Sequence, residues 1–82
     1  MNNFNYWLLV RDCLVNFHSF NPAYANSAVF KHLAKLNSQE LIETATHEEA
    51  FYLSCRLGGE EVREPREDEK RAYEQLILKY AN

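Results

Sequence analysis

The sequence has few residues that interrupt a helix, with only two glycines and two prolines among its 82 residues. Long segments between Pro22, Gly58-Gly59 and Pro65 carry no breaker, which favours helices over short strands joined by turns. The two cysteines, Cys13 and Cys55, are too few for a disulfide framework and do not form a C-x-x-C motif. We therefore expect reduced thiols that pack in the core of a helical protein.

The sequence also lacks a basic cluster and a long apolar run. Residues 1–38 hold three basic and one acidic side chain, about +2, whereas residues 39–82 hold six basic and eleven acidic ones, about −5. Nucleic-acid binding depends on a phosphate-neutralising patch, so this distribution disfavours it. The apolar stretch near the N-terminus contains Arg11 and Asp12, has no small-residue cleavage site and is too short to span a bilayer. We expect a cytoplasmic protein that does not enter a membrane.

The length of the chain limits the number of domains that it can form. A chain of this size buries only about 60 to 65% of its unfolded surface and has room for one core, so residues 1–82 are expected to form a single helical domain. Burial of that size barely offsets chain entropy, so good packing or a second copy of the chain is expected to supply part of the stability.

The predicted fold class is all-α. We expect a compact bundle of four main helices plus one short helix, over residues 3–19, 22–36, 39–45, 47–57 and 65–81. The alternative for the run from Tyr6 to Val10 is a short strand, but nothing downstream resembles its pairing partner.

Local signals place the helix ends. Asn21 can cap the second helix and Pro22 suits its first position, while Thr46-His47-Glu48-Glu49 has the pattern of a capping box. Gly58 can take the left-handed conformation that ends the fourth helix, and Pro65 can start the last one. In the second helix, four apolar residues at helical spacing are expected to pack inward: Val29, Phe30, Leu33 and Leu36.

No catalytic, cofactor or metal motif is present in the sequence. The three histidines, His18, His32 and His47, share no short ligand spacing, and His47-Glu48 lacks the second histidine of a metalloprotease motif. Cys13 lies at the centre of an apolar arc, where burial disfavours a thiolate. We therefore predict a protein that is not an enzyme and that binds no cofactor.

The strongest signal is an excess of apolar residues in the first helix, eleven of the seventeen from Phe4 to Phe20. Projection at 100° per residue divides them into a broad arc, expected to face the core, and a narrower apolar stripe of Phe4, Leu8 and Val15. Arg11 and His18 flank the stripe. Apolar anchors beside an arginine have the composition of an interface centre, so these five residues are the candidate partner-binding set. The equally weighted alternative is a central helix covered on both sides.

The sequence therefore favours a small non-enzymatic protein-binding or regulatory module, such as an adaptor, an inhibitor or an antitoxin-like partner. Its partner would be a second copy of the chain or a different protein. The alternative is a nucleic-acid-associated regulator in which residues 39–57 form a helix-turn-helix-like unit. The acidic His47-Glu48-Glu49 start of its second helix counts against that alternative.

Overall fold

Five helices and the segments that join them make up the protein, in a computed structural model that describes residues 1–81. The helices are α1 (Asn3–Phe17), α2 (Pro22–Lys35), α3 (Gln39–Ala45), α4 (Ala50–Leu57) and α5 (Glu67–Tyr80). Helix accounts for 72% of the described residues, and no strand occurs among them. The predicted all-α fold of four main helices and one short one is confirmed, and the strand alternative for Tyr6 to Val10 is wrong.

The N-terminal ends of the first three helices are capped by polar side chains. Asn2 Oδ1 accepts a hydrogen bond from the backbone N–H of Asn5 at 2.8 Å, and Asn21 Oδ1 accepts one from Tyr24 at 2.8 Å. Ser38 Oγ does the same for Leu41 at 3.1 Å. Each cap satisfies an amide that the helix itself leaves without a partner. The prediction that Asn21 caps α2, with Pro22 at its start, is confirmed.

Two helices begin later than predicted. The Thr46 hydroxyl does not cap α4, because Thr46 is the C-cap of α3 and its hydroxyl donates to the carbonyl of Glu43 at 2.7 Å. α4 starts at Ala50 with no side-chain cap. Pro65 lies outside α5, whose N-cap is Arg66 with an extended backbone.

Left-handed residues set two helix ends differently from the prediction. Ser19 has a φ of 63°, so α1 ends at Phe17 and not at residue 19. At the end of α4, Gly58 is right-handed and Gly59 takes the left-handed conformation with a φ of 77°. The amides of Gly59 and Glu60 then bond to the carbonyls of Arg56 and Cys55, which is the Schellman arrangement displaced by one residue. α2 ends at Lys35, one residue early, which is within the usual uncertainty of helix ends.

α1 is the central helix, since it packs against each of α2, α4 and α5 more extensively than these helices pack against one another. The core contains fourteen buried apolar side chains, six of them from α1: Tyr6, Trp7, Leu9, Val10, Cys13 and Leu14. The broad arc predicted for this helix thus supplies much of the core. α2 contributes only Ala25 and Val29 as buried residues, so it lies against the outside of α1.

An aromatic cluster around Phe51 joins the C-terminal half of α1 to α4 and α5. Phe51 is fully buried, and its ring lies 5.3 Å from that of Phe17 and 5.6 Å from that of Tyr73. The guanidinium carbon of Arg63 stands 5.2 Å from the same ring. Ring pairs and cation–π contacts of this kind add to the stabilisation from burial alone.

Replacement of Phe51 by alanine is expected to cost about 3 to 5 kcal/mol, because it leaves a large cavity in this cluster. A domain of this length has only about 4 to 12 kcal/mol of stability in total. Urea denaturation followed by far-UV circular dichroism measures the loss. The matched control is Phe30→Ala, since Phe30 is 72% exposed and its removal should change stability by about 0.5 kcal/mol or less. Similar losses for the two variants would contradict the assigned core.

The segment before α5 is held by Glu69, whose carboxylate accepts two hydrogen bonds from Arg63, at 2.7 and 3.1 Å. A third comes from the backbone N–H of Arg66 at 2.9 Å. The hydrogen bonds from Arg63 are the largest influence on the pKa of Glu69, which falls to about 2 although burial opposes the shift. The carboxylate therefore stabilises the fold only while it is charged.

This geometry predicts a pH-dependent effect of Glu69→Gln. The folded pKa lies below the unfolded value of about 4.3, so the stabilisation is complete above that pH and is lost as the pH falls towards about 2. At neutral pH the free energy of unfolding of the wild type should exceed that of the variant by about 1 to 3 kcal/mol, and this difference should disappear in acid. Urea denaturation at several pH values tests this, with Glu67→Gln as a control at an exposed carboxylate. A stability difference that stays constant with pH would contradict the role assigned to the charged Glu69 carboxylate.

Candidate protein-interaction surface

An apolar groove of about 190 Å³ runs between α1 and α2 on the outside of the molecule. We call it the α1–α2 groove. Its lining is almost entirely apolar, with Arg11 and Asn26 as the exceptions, and consists of Phe4, Trp7, Leu8, Arg11, Asn26, Val29, Phe30 and Leu33. A concave apolar surface with few polar groups has the composition of a binding site for an apolar side chain or helix face.

Two aromatic residues at the groove are largely exposed to solvent. Phe4 is 71% exposed and Phe30 is 72% exposed, the highest fractions among the exposed large apolar residues. They come from different helices and line the same groove. Isolated exposed apolar residues are common, but two exposed phenylalanines on one apolar groove form a patch of the kind that marks an interaction site.

Three of the five residues in the candidate partner-binding set are brought together by the structure. Phe4, Leu8 and Arg11 line the α1–α2 groove. Val15 lies on the same side of α1, two turns from Leu8, where it is half-buried and packs against the core without lining the groove. Leu8 is also half-buried. The stripe is therefore half-buried at Leu8 and Val15 and exposed at Phe4. Its role in partner binding stays a prediction.

His18 does not share this surface. Its side chain is 1% exposed, and its ring nitrogens lie 2.6 Å from Glu60 Oε2 and 3.0 Å from Ser54 Oγ. The projection that placed it beside the stripe assumes a helix through residue 19. Because α1 ends at Phe17 and Ser19 is left-handed, the chain turns at His18 and directs the imidazole towards α4.

The Ser54, His18 and Glu60 side chains resemble a hydrolytic triad in their order of contacts, but their surroundings are structural. The Ser54 hydroxyl donates to the carbonyl of Phe51 at 2.6 Å, and Ser54 is fully buried. A nucleophile must reach its substrate and pass its proton to the base. This hydroxyl can do neither, so the three residues tie the end of α1 to the end of α4.

Both thiols are buried, and burial raises the pKa of Cys13 well above its ordinary value. That environment favours the neutral thiol, which is a packing group and not a nucleophile. Within residues 1–81, no group of three or more His, Cys, Asp or Glu side chains is arranged to hold a metal ion. None of the helices described is long and apolar enough to cross a membrane.

Next to the groove, Asp12 accepts hydrogen bonds from three side chains of α1 and α5. The Tyr80 hydroxyl donates to Asp12 Oδ2 at 2.5 Å, and Arg11 donates to Asp12 Oδ1 at 2.9 and 3.0 Å. Lys79 Nζ reaches Asp12 Oδ2 at 3.5 Å. Burial alone would raise the pKa of Asp12, but the hydrogen bonds from Tyr80 and Arg11 lower it below its ordinary value. Asp12 is therefore charged at neutral pH and anchors α5 to α1.

The helix-turn-helix-like unit over residues 39–57 lacks an exposed second helix. α4 is the most buried helix, and five of its eight residues are inaccessible: Ala50, Phe51, Leu53, Ser54 and Cys55. Its one arginine, Arg56, donates to the Glu48 carboxylate. A recognition helix contacts bases from the DNA groove, and α4 has few exposed residues that could do so.

Sequence reasoning missed Phe30 as a surface residue. The spacing of Val29, Phe30, Leu33 and Leu36 predicted that all four pack inward, but Phe30 is exposed whereas Val29 is buried. Adjacent positions differ by 100° on a helix, so only a narrow arc of α2 can face α1. The signal that could have identified Phe30 is that the four residues cover a wider arc than one neighbouring helix can cover.

Comparisons of the chain with protein-family models, with curated proteins and with solved structures gave no significant match.

The Asp12 network predicts that Tyr80→Phe destabilises the protein. The variant keeps the ring and removes the donor to a buried carboxylate, which should cost about 1 to 3 kcal/mol. Urea denaturation at neutral pH measures the change. Tyr24→Phe is the matched control, because Tyr24 is 66% exposed and its hydroxyl is accessible to solvent. Equal stability of the two variants would show that the hydrogen bond to Asp12 does not anchor α5.

Proposed function

We propose that this chain is a small non-enzymatic protein-binding module that acts through the α1–α2 groove. The observation that carries the proposal is the pair of exposed phenylalanines, Phe4 and Phe30, at the two sides of one apolar groove. Both could have been polar without loss of core packing. Aromatic residues at the rim of an apolar groove supply large contact area at a low cost in side-chain entropy, which is why they dominate binding energies at interfaces.

The composition of the groove supports the same proposal. Trp7, Val29 and Leu33 form a rigid base because they also pack against the core, whereas Phe4 and Phe30 stand free at its edges. Arg11 adds a charged side chain that is 29% exposed. A central apolar region with an arginine at its edge is the usual anatomy of a protein interface. A regulatory role as an adaptor, an inhibitor or an antitoxin-like partner is compatible with such a surface.

The test is affinity purification from the native host with mass spectrometry, using the wild type and two double variants. Phe4→Ser with Phe30→Ser should release the specific partner, since truncation of interface anchors costs about 2 kcal/mol or more each. Leu78→Ser with Val62→Ser is the matched control, because these residues are 66% and 49% exposed and lie outside the groove. Unfolding curves must show that all variants fold. A partner retained by the groove variant, or lost equally from both, would refute the proposal.

A further inference from the structure

A separate pocket of about 300 Å³ is lined by residues of α1, α5 and the segment that leads into α4. We call it the α4 pocket, and it shares no residue with the α1–α2 groove. Part of its lining is apolar, from Leu9, Ala50 and Ile77, and most of the rest is polar, from Tyr6, Tyr73, His47, Glu48 and Glu49. A pocket that combines an apolar part with a few polar groups is typical of a small-ligand site.

One buried hydroxyl of this pocket lacks a hydrogen-bond partner. Tyr6 is only 6% exposed, and its hydroxyl bonds to no residue from 1 to 81. Burial raises the pKa of Tyr6 well above its ordinary value, so the group stays a neutral phenol that can both donate and accept. The Glu48 and Glu49 carboxylates add to this rise in pKa, and both line the pocket. The hydroxyl therefore lies at their end of the pocket.

The second tyrosine of the pocket shows what a satisfied hydroxyl looks like in this fold. The Tyr73 hydroxyl donates to Glu49 Oε2 at 2.6 Å and accepts a hydrogen bond from the backbone N–H of Phe51 at 3.3 Å. A buried polar group without such partners destabilises the folded state, so phenylalanine at position 6 would suit the core better. The packing of the fold accounts for the Tyr73 hydroxyl and does not account for that of Tyr6.

The pocket also carries a negative charge. Glu48 is neutralised by its ion pair with Arg56. The Glu49 carboxylate accepts its hydrogen bond from the uncharged Tyr73 hydroxyl. Among the described residues, no cation lies within ion-pair distance of Glu49, the amino group of Met1 included. An anionic ligand is therefore disfavoured here, and a cationic one would complement Glu49.

We propose that the α4 pocket binds a primary alkylammonium group, with the ammonium at the Tyr6 hydroxyl and the Glu49 carboxylate. The hydrocarbon chain of the ligand lies against Leu9 and Ile77. An ammonium has three N–H donors and no acceptor, which suits a pocket whose free groups are a phenol oxygen and a carboxylate oxygen. The Tyr6 hydroxyl is covered in the conformation described, so the ligand reaches it when side chains at the pocket mouth move apart. The site does not depend on the function proposed for the α1–α2 groove.

The binding experiment follows the backbone amide signals of the isotope-labelled full chain by NMR. The probes are n-butylamine, which is charged at neutral pH, and n-butanol as its uncharged counterpart. We expect n-butylamine to shift the signals of residues that line the α4 pocket, with a Kd of about 1 to 10 mM, as is ordinary for so small a ligand. Binding of n-butanol should be about ten-fold weaker or more. Equal binding of the two probes, or shifts outside the pocket only, would overturn the inference.

Two single variants test the groups assigned to the ammonium. Tyr6→Phe and Glu49→Gln should each weaken n-butylamine binding about ten-fold, because each removes a partner of a charged donor. The glutamine oxygen still accepts from Tyr73, so this variant keeps the internal hydrogen bond. Tyr24→Phe is the matched control, since Tyr24 is exposed and lies outside the pocket, and it should change Kd less than about two-fold. Binding that Tyr6→Phe leaves unchanged would refute the assignment.

Thermal unfolding without ligand adds a measurement that a merely structural hydroxyl would move in the opposite direction. Tyr6→Phe removes an unpaired buried hydroxyl, so Tm should rise by about 4 °C or more, whereas Tyr24→Phe should leave it nearly unchanged. Weaker binding together with higher Tm marks a group retained for a ligand. A lower Tm for Tyr6→Phe would mean that the hydroxyl is bonded within the fold, which contradicts the inference.

The same butylammonium group occurs in free amines and in the lysine side chains of other proteins. Nα-acetyl-lysine N-methylamide carries it on a peptide unit and distinguishes these sources. A Kd equal to or below that of n-butylamine assigns the site to a lysine of a partner, and a Kd about ten-fold higher assigns it to a free amine. The Phe4→Ser, Phe30→Ser variant should bind n-butylamine as the wild type does, because the α4 pocket and the α1–α2 groove are separate sites.

Discussion

The fold depends on α1 remaining apolar around most of its circumference. α1 supplies the largest contact surface for the other helices, and α4 and α5 also meet through Phe51 and Tyr73. Burial of Val10, Cys13 and Leu14 is complete, so the hydrophobic effect at this helix is a main term that holds α2, α4 and α5 together. The surface of α1 that no helix covers is then apolar as well, which links the stability of the fold to its candidate function.

Polar contacts specify how the outer helices are oriented on α1. Asp12 fixes the end of α5 through Tyr80, and the His18 ring fixes the end of α4 through Ser54. Glu69 fixes the start of α5 through Arg63. Each of these groups is buried or nearly so, and each has a charged or hydrogen-bonded partner, as burial requires. The apolar core alone would tolerate sliding of the helices, whereas these pairs favour one arrangement.

The helices themselves could be predicted from the sequence, because their signals are local. Asn21 and Pro22 mark the start of α2 by chemistry that involves only neighbouring residues. The predicted starts at Pro65 and Thr46 were wrong because other local hydrogen bonds compete with them. Thr46 donates to the carbonyl of Glu43, and the backbone N–H of Arg66 donates to the Glu69 carboxylate. Helical projection alone placed Phe4, Leu8 and Arg11 on one surface, and in the structure they line one groove. His18 was misplaced and Phe30 was missed, since projection does not show where a helix stops or how much of it a neighbour covers.

The side-chain amide of Asn5 donates to the carbonyl of Tyr80 at 3.1 Å, which joins residues 75 positions apart. Closing a loop of that length costs chain entropy before any contact compensates for it, and non-local contacts of this kind slow folding. α1, α2 and α4 are closer in sequence, so we expect α5 to dock on α1 late in folding. An incompletely folded chain would then expose α1 more widely than the native protein does, and its period of greatest risk for aggregation would precede the docking of α5.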